Sequence, residues 1–312
     1  MDPSTSHRED ANETTPISPP PSAYAPPAST DPSSPEWRYV TGRRSGYRTR
    51  AHANPLAPGH FAVPLSPDSI DHAAWYAGNA DVRIRLADIG CGYGGLLFYL
   101  SSHRDRAYGM LGVEIRAAVA RYCQLTLQRQ RAADATAYPN IAFVYANAQR
   151  HLPNLLRGRS LDAMLFAYPD PHFKARTHRR RILSRALLQQ YVYFLRPGGR
   201  LYASTDVEAL FRWMLERLDD CPLLRCVHMS AVRTGQSRFN LAEAEELHVV
   251  PSQPEEVEAF LQSDVLARAV RDYSDEGQRV ARQHGDKFLL VYEKRGVEEE
   301  RAAGEGDGAS GA

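Results

Sequence analysis

The sequence predicts an α/β fold in which a mostly parallel sheet carries helices on both faces. From residue 83 onward, short apolar segments alternate with amphipathic helical segments, which is the pattern of consecutive βαβ units. Glycines follow the first apolar segment, and a polar residue follows each of the next three. Ligands of such sheets bind beyond the carboxyl ends of the strands, so the same pattern predicts a binding site along one edge.

The individual elements follow from the spacing of apolar residues. Each predicted strand is a short, mostly apolar run, and each predicted helix has apolar residues three to four positions apart. Pro197, Gly198 and Gly199 are expected to end the third of these helices. The strands are expected at 84–89, 107–113, 141–146, 161–166 and 200–204, and the helices at 95–102, 117–131, 183–195 and 207–218.

One folded domain is expected at residues 41–294. The first 36 residues contain nine of the 21 prolines and few large apolar side chains. Such a segment cannot bury enough surface to offset the entropy that ordering would cost. Residues 1–40 are therefore predicted to be a disordered tail, as are residues 295–312, which are rich in Glu, Gly and Ala.

Composition excludes several classes of protein. The net charge is +1, so no overall field indicates a nucleic-acid partner and any such signal must be local. The four cysteines are too few and too scattered for a disulfide framework or a zinc site, which indicates reduced thiols in an intracellular protein without a bound metal. No apolar segment approaches the length of a membrane span, and the N-terminus lacks the apolar region of a secretory signal.

A glycine-rich loop directly follows the first predicted strand. Residues 88–95 have the sequence DIGCGYGG, whose spacing differs from the Gly-x-Gly-x-x-Gly of dinucleotide sites. Glu114 ends the second strand twenty residues after Gly94, where a carboxylate can accept hydrogen bonds from both ribose hydroxyls. Without a pyrophosphate motif, this pair favours S-adenosylmethionine over NAD. The structural alternative is a packing turn beside a solvated acid.

Asp170 lies between two prolines after the fourth predicted strand. Proline fixes φ and disfavours helix at the preceding residue, so this carboxylate is expected in a stiff, extended turn. An acid held beside positive charge suits a polyanionic substrate that offers a hydrogen-bond donor. The alternative is an ordinary surface turn leading into a solvated basic helix. The positive side chains after the turn are Lys174, Arg176, His178, Arg179, Arg180 and Arg181, and a second basic segment spans residues 43–50.

Taken together, these segments resemble the catalytic subunit of the eukaryotic tRNA (guanine-N7)-methyltransferases. The resemblance runs over residues 47–220, with a short echo at 275–277. It implies a Rossmann-like class I methyltransferase fold with S-adenosylmethionine as cofactor. The matching segments are RAHANP at 50–55, DIGCGYGG at 88–95, GVEIR at 112–116, NA at 147–148, HLPN at 151–154 and PDPHFK at 169–174.

The resemblance also implies roles for individual residues, with Asp170 as the catalytic acid. Ser274 stands where the family has threonine, and Ala167 stands where a larger apolar residue is usual, which is expected to widen the pocket floor. The cofactor contacts implied are Gly90, Glu114, Ile115, Arg116, Asn147, Ala148, Ala167, Ser274, Asp275 and Glu276. The basic segments at 43–50 and 174–181 flank the predicted pocket and are expected to hold tRNA phosphates. The candidate tRNA contacts are Arg48, Arg50, His52, His172, Lys174, Arg176, Arg179 and Arg180. His52 and Asn54 have an alternative role, which is to shape the turn at Pro55.

The predicted function is transfer of a methyl group from S-adenosylmethionine to N7 of a guanine in tRNA. N7 has a free lone pair and no proton to lose, so the reaction needs alignment and charge stabilisation rather than a general base. Two alternatives are N7 methylation of guanine in other RNAs and a catalytically silent RNA-binding subunit. The resemblance further implies a heterodimer with a WD-repeat subunit and a nuclear location.

Overall fold

The computed structural model describes residues 53–232 and 253–296. The predicted tail at 1–40 lies outside these ranges, as do residues 297–312 of the second tail and Arg48, Arg50 and His52. The four cysteines have free thiols. Within the described ranges, no helix combines the length and the apolar character that crossing a membrane requires.

Seven strands of the described residues form one sheet, in the order β3-β2-β1-β4-β5-β7-β6. The pairings from β3 to β5 are parallel, whereas β7 lies antiparallel between β5 and β6. The chain order reverses between β1 and β4, and such a switch point is where ligands bind. The strands are β1 Arg83–Ile89, β2 Tyr108–Glu114, β3 Ile141–Tyr145, β4 Leu161–Ala167, β5 Leu195–Thr205, β6 Leu224–Val232 and β7 Lys287–Lys294.

Helices bury both faces of the sheet. Alternate residues of β2 belong to separate core clusters, with Leu111 and Val113 on one side and Met110 on the other, because successive side chains of a strand point to opposite faces. Helices α4 to α6 pack on the first side, and α2, α3, α7 and α8 pack on the second. The helices are α1 His72–Trp75, α2 Gly95–Ser101, α3 Ala117–Ala133, α4 Ala148–Leu155, α5 Arg185–Phe194, α6 Glu208–Asp219, α7 Pro254–Ser263, α8 Val265–Arg268 and α9 Asp275–Arg282, with a π-helical turn at Ala269–Tyr273 and 3₁₀ turns at Pro67–Ser69 and Ala175–Arg180.

The predicted elements are confirmed to within two residues, except at the start of β5. Helix α5 ends at Phe194, and Pro197 lies inside the strand rather than in a separating loop. Leu161 pairs with Leu195, whereas Ala163 pairs with Arg200, so the intervening residues of β5 bulge out of the ladder. The helix therefore ends within one residue of its predicted end, and the glycines that follow it form this bulge.

Helix α4 was not predicted from the sequence. It contains Pro153, and proline inside a helix removes a backbone hydrogen bond and argues against a helical prediction. Asn147 caps the helix, since its side-chain oxygen accepts a hydrogen bond from Gln149 N at 3.0 Å. The cap residue was thus the available signal for this element.

Candidate functional site

A cavity of about 710 Å³ opens where the five parallel strands end. It lies at the switch point between β1 and β4, as the sequence predicted for a ligand site. The sequence-predicted residues that line it are Gly90, Glu114, Ile115, Arg116, Asn147, Ala148, Ala167, Asp170, His172, Arg180, Ser274, Asp275 and Glu276.

The glycine loop forms one wall of the cavity. Gly90 has φ +77°, a conformation that side-chain-bearing residues rarely adopt, and a Cβ built there would meet no atom within 4 Å. Gly94 has φ +80° and begins helix α2, where a Cβ would come within 2.7 Å of the Phe143 ring. The loop is thus held by the backbone conformation and by packing, and it leaves open space on its cavity side.

Glu114 is the buried acid of the site, with 2% of its surface exposed. Its Oε2 accepts a hydrogen bond from Gly92 N at 3.1 Å and its Oε1 accepts one from Arg116 N at 2.8 Å. The Arg116 guanidinium donates to both carboxylate oxygens, from Nε to Oε1 and from Nη2 to Oε2, each at 3.0 Å. The solvated-acid alternative for Glu114 is therefore wrong, because the carboxylate is enclosed and both of its oxygens accept hydrogen bonds from the protein.

The carboxyl of Asp88 is 1% exposed and also lines the cavity. Its Oδ2 has no hydrogen-bond partner among the described residues. Burial, followed by the charges of Glu114 and Asp275, raises the pKa of Asp88 to about 7. Sequence reasoning placed Asp88 at the start of the glycine loop but gave it no ligand role. A buried acceptor without a donor, on a residue that lines a cavity, is a position where an N–H group of a ligand can bind.

Asn147 fastens an N-terminal segment to the cavity wall. Its Nδ2 donates to Pro55 O at 2.7 Å, and its N–H donates to His151 Nδ1 at 3.1 Å. Because its side-chain oxygen caps α4, both ends of the amide are engaged within the protein. Asn54 accepts a hydrogen bond from Leu56 N through Oδ1 at 3.2 Å, which supports the alternative that Asn54 shapes the turn at Pro55.

The Pro-Asp-Pro turn is anchored on both sides of Asp170. Tyr168 N donates to Ser204 O at 2.9 Å, and Tyr168 OH donates to Arg271 O at 2.7 Å. On the other side, Pro171 O accepts a hydrogen bond from Arg181 Nε at 2.8 Å. These contacts hold the acid in a fixed turn at the cavity, as its flanking prolines predicted.

The Asp170 carboxylate acts electrostatically on Arg116. Burial lowers the pKa of Arg116, but the hydrogen-bonded Glu114 and the charge of Asp170 outweigh burial and raise it overall. The charges of Glu114, the last residue of β2, and of Asp170, which follows β4, therefore both act on this guanidinium.

The basic segment after Asp170 divides into exposed and enclosed residues. Lys174, Arg176 and Arg179 are exposed, and we call them the cationic turn. Arg180 lines the cavity, and its Nε is buried without a partner in the described ranges. Arg181 is 4% exposed and stacks on Trp213, with its Cζ 4.5 Å from the ring centroid. The prediction that Arg181 belongs to the phosphate-binding surface is therefore wrong, since it holds the turn from inside.

The C-terminal segment 274–276 closes another side of the cavity. Ser274 Oγ accepts a hydrogen bond from Gly277 N at 3.0 Å and so caps α9. The Asp275 carboxylate packs against the start of α2, where a Cβ on Gly95 would lie 3.0 Å from Oδ1. Glu276 accepts a hydrogen bond from Arg279 Nε at 2.8 Å.

Asp206 is a cavity residue that sequence reasoning missed. Burial raises its pKa, and the charge of Glu276 acts in the same direction. It directly follows β5, and Glu114 is the last residue of β2, so a position at a strand end was the signal that could have identified Asp206.

Comparison with known proteins decides the family. Residues 83–249 match the family model described as "Putative methyltransferase". A tRNA (guanine-N(7)-)-methyltransferase of Oryza sativa subsp. indica is 35% identical over 270 residues, covering 82% of this chain and 93% of the relative. One of Drosophila persimilis is 37% identical over 260 residues, covering 82% and 93%. The chain belongs to the tRNA (guanine-N7)-methyltransferase family.

Family membership makes the chain a methyltransferase, as its sequence predicted. Its sheet order and glycine loop are those of the Rossmann-like class I methyltransferase fold. Among solved structures, the 16S rRNA methyltransferase KamB is 13% identical, with a TM-score of 0.44 over 70% of this chain and 90% of that chain. In residues 53–232 and 253–296, no group of His, Cys, Asp and Glu side chains is arranged to hold a metal ion.

Proposed function

We propose that this enzyme transfers the methyl group of S-adenosylmethionine to N7 of a guanine in tRNA. The observation that carries the proposal is that one cavity joins a glycine loop, a buried strand-end acid and the proline-framed Asp170. The relatives from rice and fruit fly are named for this activity.

The cavity residues fit the cofactor in three respects. The volume of about 710 Å³ is in the range of small-molecule sites. Gly90 leaves open space where another residue would place its Cβ. Asp88 Oδ2 receives no hydrogen bond from the residues that the structure describes, and the ammonium of the methionine part would provide a donor.

Glu114 would accept the ribose hydroxyls, and the start of α4 at Ala148 would lie against the adenine. When bound, S-adenosylmethionine supplies a sulfonium methyl that is open to nucleophilic attack. We place the remaining cofactor contacts at Ile115, Arg116, Asn147, Ala167, Ser274, Asp275 and Glu276.

Asp170 would position the guanine rather than remove a proton. N7 attacks through its own lone pair, so the site must align the base and stabilise the positive charge that develops on it. A carboxylate accepts N–H bonds from the Watson–Crick edge and does both. The anchors at Tyr168 and Pro171 hold this carboxylate in place before substrate binds. Asp206 offers a second carboxylate beyond the neighbouring strand β5.

The cationic turn would bind phosphates of the RNA beside the cavity. Neutralising a phosphate releases counterions, so each contact contributes affinity that falls with salt. Arg180 and His172 line the cavity itself, and they would contact the nucleotide that enters it. We keep Arg48, Arg50 and His52 as further RNA contacts, since Ala53, the next residue of the chain, lines the same cavity.

The test compares Asp170→Ala and Asp170→Asn with the unaltered enzyme on total tRNA and a tritiated methyl donor. Both variants are expected to lose turnover, with the asparagine retaining part of the positioning, while calorimetry shows nearly unchanged affinity for S-adenosylhomocysteine. Asp162→Asn is a matched control, because Asp162 lies at the opposite end of the same strand and pairs with Arg196. Large loss of nucleoside affinity in the Asp170 variants contradicts the assignment.

Mapping the methylated base separates the alternatives. Borohydride and aniline cleavage at N7-methylguanine on tRNA supports the proposal, whereas methylation of other RNAs alone supports the second substrate class. Nucleoside and RNA binding without any methyl transfer indicates a silent subunit.

From the resemblance alone, we also propose a WD-repeat partner subunit and a nuclear location. Affinity purification and imaging of the tagged chain in its own cells test both.

A further inference from the structure

Phe173 is a large apolar side chain that the fold leaves in solvent at the edge of the cavity. The residue is 70% exposed, and of the large exposed apolar residues in the described ranges it is the one that lines the cavity. An aromatic ring that stays in water contributes little to folding. A single exposed apolar side chain is ordinary, but this one lies where a ligand enters. Its place at the cavity therefore favours a role in ligand binding.

The backbone around Phe173 is held on both sides of the ring. Pro171 O accepts a side-chain hydrogen bond at 2.8 Å, and Lys174 O accepts one from Thr177 N at 2.7 Å. His172, directly before the ring, has φ +44°, in the left-handed region that residues with side chains rarely adopt. Such a conformation persists where the surrounding contacts impose it. Phe173 thus projects from a fixed backbone, and a ligand that covers the ring does not have to order this part of the chain first.

The neighbours of Phe173 along the chain match the chemistry of a nucleic acid. Asp170 lies three residues before it, and the cationic turn begins at the next residue, Lys174. An extended chain advances at most about 3.6 Å per residue, so the Cα atoms of Phe173 and Asp170 lie within about 11 Å of each other. Bases that stack along one strand are about 3.4 Å apart. The ring is therefore within reach of the base next to one that binds at Asp170. RNA supplies both the phosphates that suit the cations and the flat base faces that suit an aromatic ring.

We propose that Phe173 is a stacking residue for the base next to the target guanine. The proposal rests on the proposed function, because it takes the guanine to enter the cavity. A base that leaves its stack to reach an active site gives up contacts with its neighbours. The Phe173 ring covers the face of the neighbouring base that the guanine has left, and so offsets part of the cost of extruding the guanine. Because every base has such a face, this contact adds affinity without selecting a particular neighbour.

The first experiment measures tRNA affinity by filter binding over a range of salt concentrations for Phe173→Ala, Phe173→Leu and Phe173→Trp. Alanine should bind tRNA about five- to tenfold more weakly at every salt concentration, with an unchanged salt slope, because a stacked base neutralises no phosphate. Leucine keeps the apolar bulk without a flat face and should recover little of the loss, whereas tryptophan should restore the affinity.

Two controls separate stacking from damage to the turn. Lys174→Ala, at the next residue, should lower the salt slope by about one counterion. Tyr193→Ala removes an aromatic residue that is 61% exposed on α5 outside the cavity, and it should leave tRNA affinity unchanged. Calorimetry should show the same S-adenosylhomocysteine affinity in Phe173→Ala as in the unaltered enzyme.

The second experiment removes the stacked base instead of the ring. Two tRNAs are made that lack the base on the 5′ or on the 3′ side of the methylated guanine. The unaltered enzyme should bind one of them about five- to tenfold more weakly than intact tRNA. Phe173→Ala should bind that RNA and the intact one equally, because the contact is already lost.

The proposal is overturned if both enzymes respond equally to each of the two RNAs. It is also overturned if Phe173→Ala binds tRNA normally, has a reduced salt slope or loses affinity for S-adenosylhomocysteine instead, or if leucine binds tRNA as well as phenylalanine does. An unaltered enzyme that methylates no RNA contradicts the proposed function itself, and this is recognised before any variant is made.

Discussion

Asp88 should make nucleoside binding depend on pH. Its carboxyl is buried, lacks a partner at Oδ2 among the described residues, and has a pKa raised to about 7, first by burial and then by Glu114 and Asp275. An ammonium group that enters the site supplies both the missing donors and the opposite charge, and it requires the ionised carboxylate. Binding below pH 7 therefore has to expel a proton, so affinity falls as the pH falls.

The size of the effect follows from the fraction of Asp88 that is ionised. With a pKa of about 7, that fraction is about nine-tenths at pH 8 and just under one-tenth at pH 6, so the association constant should fall about tenfold between them. S-adenosylhomocysteine is the suitable ligand because its ammonium keeps its proton over this range. Asp88→Asn should bind more weakly at pH 8 and lose the dependence. An affinity that is flat from pH 6 to 8 in the unaltered enzyme refutes the reasoning.

The same shift has a consequence for stability. The pKa of Asp88 is higher in the folded chain than its ordinary value of 3.8, so the folded state binds more protons and stability decreases as pH rises. The unfavourable contribution is absent below the unfolded pKa, grows between the two values and is complete above pH 7. Its upper limit is about 4 kcal/mol, from about 1.4 kcal/mol per pKa unit. In thermal unfolding, the stability of Asp88→Asn relative to the unaltered protein should increase from pH 5 to pH 8. A difference in stability that is the same at both pH values contradicts this account.

Three further predictions concern packing, the Asp170 turn and RNA binding. Gly112→Ala places a Cβ 2.6 Å from Phe143 Cδ1 and should lower stability by about 1–3 kcal/mol in thermal unfolding. Gly296→Ala, where a Cβ meets nothing within 4 Å, is the control expected to leave stability unchanged. Tyr168→Phe removes the hydrogen bond to Arg271 O and should lower the free energy of unfolding by about 1 kcal/mol. It should also reduce turnover while leaving the affinity for the nucleoside unchanged, and unchanged turnover contradicts the anchoring role. Each alanine variant in the cationic turn should weaken tRNA binding and reduce its salt dependence by about one counterion in filter-binding titrations, and equal slopes exclude phosphate contacts there.

The features that depend on short segments of the chain were predicted from the sequence. The βα alternation, the glycine loop and the polar residue after each strand depend on short segments, and the structure brings them to one edge. Flanking prolines likewise predicted a fixed turn at Asp170. The sequence also predicted that Glu114 lies at the ligand-binding edge, because the carboxyl ends of parallel strands meet at one edge of the sheet.

Contacts between distant segments could not be predicted from one sequence. The turn at Asp170 depends on Tyr168 meeting Arg271 O, more than a hundred residues away in the chain. Arg181 belongs to a run of exposed basic residues by sequence, and only the stack on Trp213 shows that it is enclosed. That Asp88 Oδ2 has no donor among the described residues could be seen only in the folded structure, because it depends on which of their polar groups come near it.

The position of β7 in the sheet constrains how the enzyme is made. Strand β7 lies between β5 and β6 in the sheet. During translation, β6 is therefore synthesised before the strand with which it pairs. Until residues 287–294 have been synthesised, the nascent protein presents unpaired strand edges of the kind that invite aggregation. The segment 274–276, which closes the cavity, is also translated late. The cavity is therefore complete only after nearly the whole folded domain has been synthesised.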